Sequence, residues 1–132
     1  MILDGFDMNS ISNRVMLTGA LYVVIFAFGF VLTRFGSPYS TVLLTVHKLA
    51  SVAAVILLYK TFTAVNQTTG LNTLVIAIGV IAGLTFLGII ATGGMISIGG
   101  NIPGLVYTVH HLMPILNLVA AAASLYLLYN LS

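Results

Sequence analysis

Four long apolar runs, separated by short polar or glycine-rich breaks, account for most of the chain. They fall at about 15–33, 41–62, 72–92 and 105–129. Each comes close to, or exceeds, the roughly 20 helical residues that a hydrocarbon core requires. The breaks "RFGSPYS", "NQTTG" and "GGMISIGGNIPG" carry the Gly, Pro, Ser and Asn of turns. No run shows the period of two of a strand, and backbone in lipid must be satisfied within its own segment, so the pattern predicts helices. Short connections make successive helices antiparallel neighbours. The expected fold is all-α: one domain over 1–132, an integral membrane four-helix bundle.

Composition leaves no soluble alternative. The chain has 132 residues, 60% of them hydrophobic and only 5% charged, against roughly 25% charged in an ordinary soluble domain. Four basic and two acidic residues give a net charge of +2, too sparse for a nucleic-acid surface. The absence of cysteine rules out disulfides, thiolate metal sites and thioether-linked haem. The opening "MILDGFDMNSISNR" has no basic leader and no cleavage site follows the first run, so the first helix is expected to stay in the mature protein. Four spans put both termini on one side, with Arg14 and Lys60; Arg34 lies on the other, with Lys48 just inside it. That slim difference points to cytoplasmic termini, and the expected location is the cell membrane.

The two halves repeat. "TVHKL" at 45–49 returns as "TVHHL" at 108–112, an offset of 63 residues. The preceding helices align at a slightly shorter offset: "FAFGFVLT" (26–33) lies over "TFLGIIAT" (85–92), matching Gly29 to Gly88 and Thr33 to Thr92. Four extra residues in the second connecting loop would explain the difference. The halves are then two helical hairpins repeated in parallel. His47 lies seven residues after Ser40, and His110 seven after Pro103, each about 10 Å along its helix. Both imidazoles are expected at one depth, with Gly29 and Gly88 near it.

That arrangement fits a haem. Iron in a b-type haem takes an imidazole nitrogen on each side, and helix-bundle proteins build such sites from side chains on facing helices. Glycine would let a porphyrin edge approach the backbone closely. Small residues follow His47 on its face, namely Ala50, Ser51 and Ala54; the face of His110 carries Pro114, Asn117, Ala121 and Ser124. Arg34 and Lys48 are the basic residues at the near surface for the propionates, and Lys48 can snorkel toward it. The expected site is therefore His47 and His110 as iron ligands, with Gly29, Gly88, Arg34, Lys48, Ser51 and Asn117 around the cofactor. His111 points about 100° away from His110. It is an alternative axial ligand, a propionate donor or a contact to a second subunit.

A plainer reading stands beside this one. The spans contain no Asp or Glu, since the only acids are Asp4 and Asp7, so the histidines could instead be satisfied by hydroxyls or backbone carbonyls. The protein would then be a non-catalytic haem or metal handler, a small transporter or a scaffold subunit. Lack of an intramembrane carboxylate argues against proton-coupled export. Three imidazoles at most, with no acidic entry route, argue against zinc or copper transport. A hydrolase would have no acid, no thiol and no credible serine. The Gly-xxx-Gly pair Gly79–Gly83 could bring the third helix close to a neighbour, within the chain or in a homodimer.

A four-helix membrane chain with histidines of this kind on helices two and four resembles the small transmembrane b-type cytochromes. The resemblance covers the whole span arrangement and is carried by His47, His110, His111 and the small-residue faces. It implies an electron-transfer protein rather than a stand-alone enzyme, holding low-spin haem b. Its expected partners are membrane lipid and either a quinone-like carrier or another membrane redox subunit. Members of that group often carry two haems, one toward each surface. This chain has no histidine toward its terminal side, so the resemblance implies one haem per chain, with a partner or a dimer completing any path across the membrane.

Overall fold

The computed structural model of the chain describes Asp7 and residues 9–132; most of the opening segment lies outside the described residues. Four helices follow in order: α1 (Ile11–Phe35), α2 (Thr41–Thr68), α3 (Thr73–Ile98) and α4 (Gly104–Leu131). No strand forms among the described residues. Each helix is long and apolar enough to cross a membrane. The protein is an all-α, multi-pass membrane protein.

Every helix runs past the apolar stretch that announced it, because hydropathy marks where lipid lies while backbone hydrogen bonding continues to the next cap. α1 begins in the polar "ISNR". α2 continues through Asn66 and Gln67 until Gly70, whose φ of 83° suits no other residue well. α3 passes straight through Gly93 and Gly94, read above as the start of a loop, and stops at Gly99 with φ 79°. A helical glycine costs about 1 kcal/mol relative to alanine. Inside an apolar segment that is less than the cost of leaving backbone groups bare.

The chain divides into two compact units, 1–70 with 128–132 and 71–127. In the first, α1 and α2 pack as a hairpin. The Arg14 guanidinium, at the start of α1, donates from Nη1 to the Lys60 carbonyl of α2 at 2.9 Å. The Thr69 hydroxyl donates to the Leu131 carbonyl at 3.0 Å, tying the end of α2 to the last turn of α4. α2 buries Ala50, Ala54, Leu57, Leu58, Thr61 and Val65, the three- and four-residue spacing of one helix face. In the second unit, α3 buries Val75, Ala82, Thr85 and Phe86, and the buried residues of α4 there include Asn117, Ala120, Ala121 and Ser124.

Polar side chains survive in the spans by bonding their own helix. The hydroxyls of Thr18, Ser51, Thr61, Thr85 and Thr92 donate to the carbonyls of Arg14, His47, Leu57, Ile81 and Gly88, each four residues back, at 2.7–2.8 Å. Such bonds supply the partner that hydrocarbon does not.

One expectation needs correcting. The connections 36–40 and 99–103 are both five residues long. The four extra residues of the second half lie not in its loop but in α3, as one additional helical turn. Gly88 therefore sits about a turn farther from its connection than Gly29 does from its own.

Candidate functional site

His47 stands in the second turn of α2, half-buried against α1. Its Nδ1 is 2.9 Å from the Ile25 carbonyl oxygen. A carbonyl can only accept, so Nδ1 carries the proton and Nε2 is the lone-pair nitrogen. That carbonyl already accepts the helical N–H four residues on, which is Gly29, and its second lone pair is reachable because Gly29 has no Cβ. A Cβ there would lie 3.1 Å from His47 Cε1, tight enough to press on the ring. Ser51, expected beside a cofactor, donates its hydroxyl to the His47 carbonyl and so braces the backbone that carries the imidazole.

His110 is held differently. Its Nδ1 lies 2.9 Å from the Thr92 hydroxyl oxygen. The same hydroxyl has the Gly88 carbonyl at 2.8 Å and the Ile89 carbonyl at 3.2 Å as acceptors for its hydrogen; when it donates to either, its oxygen is left to receive the Nδ1–H of His110. In that arrangement the imidazole is again the Nδ1–H tautomer, with Nε2 as the lone-pair nitrogen. Its Cε1 would be 2.7 Å from a Cβ on Gly93, closer than carbon atoms pack, so the ring needs glycine there.

The matched glycines therefore do different work. The room over Gly29 is taken by His47, while the room over Gly88 is taken by Met113, whose Sδ would be 2.7 Å from a Cβ. The glycine beside His110 is Gly93, five residues farther along α3, one residue beyond the four of the extra turn. In both halves the glycines seat a side chain of the neighbouring helix of the hairpin rather than leave a gap beside it.

The remaining expected residues each have their own setting. His111 is exposed and donates Nδ1–H to the Tyr107 carbonyl of its own helix at 2.6 Å. Its ring meets that of His110 edge-on, at 6.3 Å between centroids. Arg34 and Lys48 are exposed near one end of the α1–α2 hairpin. Asn117 is buried, and its amide donates to the Ala82 carbonyl at 2.8 Å and the Thr85 hydroxyl at 2.9 Å, which makes it a brace between α4 and α3. Among the described residues no three His, Cys, Asp or Glu side chains gather to hold a metal ion; a haem iron asks for only two.

Thr92, Gly93, Met113 and the Ile25 carbonyl were not singled out in the sequence as contacts. Thr92 carried a signal, since the repeat matched it to Thr33. A backbone carbonyl carries none, because every residue has one. Compared with known proteins, the chain matches no family model, no curated sequence and no solved structure.

Proposed function

We propose that this chain is a membrane haem protein of the b-type cytochrome kind, with His47 and His110 as its iron ligands and electron transfer within the membrane as its role. One observation carries the reading. Each imidazole has its Nδ1 2.9 Å from an oxygen of its own hairpin, and Nδ1–H donation to that oxygen leaves Nε2 as the lone-pair nitrogen, the tautomer that a metal-ligating histidine adopts. Bound haem would supply a one-electron couple whose potential depends on ligands and burial.

The chain's own residues do the rest. Ile25 and Thr92 orient the two rings, and Ser51 braces the backbone of His47. Arg34 and Lys48 offer positive charge for the propionates. Exposed apolar side chains on all four helices suit a lipid surrounding. The reading takes a quinone-like carrier or a second membrane subunit as redox partner, a homodimer as one way of completing the path, and the cell membrane with cytoplasmic termini as the setting.

A second reading has its own support: both rings are packed and hydrogen-bonded within their hairpins, as a structural cross-brace would be. The experiment that separates them is a reduced-minus-oxidised spectrum of the protein purified in detergent after expression with added haem. Sharp α and β bands with a shifted Soret are expected. A featureless spectrum from folded, haem-supplied protein overturns the haem reading and leaves the cross-brace.

A further inference from the structure

We infer that Thr92 is a positioning residue for His110: its hydroxyl oxygen fixes the Nδ1–H tautomer and sets how strongly Nε2 can donate, making His110 the adjustable imidazole and His47 the fixed one. The tautomer half of this stands on geometry alone; its consequence for a bound iron rests on the haem reading above.

His47 donates to a main-chain carbonyl, which no side-chain substitution removes. His110 has a hydroxyl oxygen 2.9 Å from Nδ1, and that hydroxyl has the Gly88 carbonyl at 2.8 Å to take its own hydrogen, which assigns the Nδ1–H to His110. The result is a chain of donors running from His110 through Thr92 into the α3 backbone. An acceptor at Nδ1–H raises the basicity of the opposite nitrogen, and a ligand's outer partner fixes both tautomer and ring orientation. Removing the acceptor frees the proton to move to Nε2, the nitrogen that would face a metal. The repeat provides an internal control. Thr33, matched to Thr92, donates to the Gly29 carbonyl at 3.0 Å and is exposed, while His47 takes the Ile25 carbonyl.

The test compares Thr92→Val, Thr92→Ser and Thr33→Val with the unaltered full chain, using ¹⁵N-histidine labelling in detergent without haem. The chain has three histidines, so single His→Gln variants assign the signals. His110 is expected as the Nδ1–H tautomer in the unaltered chain, in Thr92→Ser and in Thr33→Val, and as a mixture in Thr92→Val, with His47 unchanged throughout. In haem-loaded protein the midpoint potential is expected to rise in Thr92→Val, because a less basic imidazole donates less to oxidised iron, and to return in Thr92→Ser. An unchanged His110 tautomer in Thr92→Val overturns the assignment. So does a potential that Thr33→Val moves as far as Thr92→Val. Failure to bind haem would instead sink the haem reading, and the tautomer measurement would still decide the role of Thr92.

Discussion

His47 and His110 enter their helices in almost identical sequence surroundings and find different acceptors. The first reaches a backbone carbonyl across Gly29; the second reaches a threonine hydroxyl across Gly93. The backbones carrying them differ too. Four residues after His47, Ser51 adds a hydroxyl bond to its carbonyl; four residues after His110, Pro114 has no N–H to give. Farther along, buried Ala54 of the first half matches buried Asn117 of the second, so an apolar contact face corresponds to a hydrogen-bonded one. The Ser51–Pro114 and Ala54–Asn117 differences are substitutions along α2 and α4, while the change of acceptor goes with the single added turn in α3. That turn keeps the facing side of the helix the same while sliding a new residue set opposite the histidine.

This contrast can be attacked directly. On the haem reading proposed above, the largest effect is expected from His47→Ala and His110→Ala, each of which should abolish a six-coordinate haem spectrum. A spectrum that survived His110→Ala but not His110→Ala with His111→Ala would move the ligand to His111. Next, Gly93→Ala should cost about 1–3 kcal/mol by overpacking, read as the loss in a detergent unfolding titration. Gly29→Ala should cost less, because its Cβ clears the ring by more, and equal losses would break the distinction between the two seats. Gly88→Ala should be nearly silent, since the atom it meets is the flexible end of Met113.

Asn117→Ala removes the polar brace peculiar to the second half and should cost about 1–2 kcal/mol in the same titration; no loss would mean that the two halves are held alike despite their chemistry. The smallest contrast lies at the caps. Asn72 accepts the Val75 N–H at 3.0 Å, whereas Ser40 accepts that of Leu43 at 3.5 Å. Asn72→Ala should therefore cost about 1 kcal/mol and Ser40→Ala clearly less, with a reversed order counting against these cap geometries.

Helix number, helix type and membrane class were legible from hydropathy alone, because lipid tolerates only segments that satisfy their own backbone. The recurrence of a histidine within a matched pentapeptide was legible too, since it is a fact of the sequence. Helix ends were not legible. "GGMIS" carries the composition of a loop, yet it continues α3, because nothing local ends a helix until a residue takes positive φ at Gly99. That misplacement carried through to the site and put Gly88 where Gly93 stands.

The sequence by itself determined four apolar helices, two half-repeats and a matched imidazole in the corresponding helix of each. These follow from composition and spacing, which act within a segment. Only the tertiary structure decided which acceptor holds each ring, which glycine makes room for it, and that Asn117 braces α4 against α3. Those outcomes depend on the axial register between two helices, and a register that shifts by one turn leaves each helix's own pattern untouched.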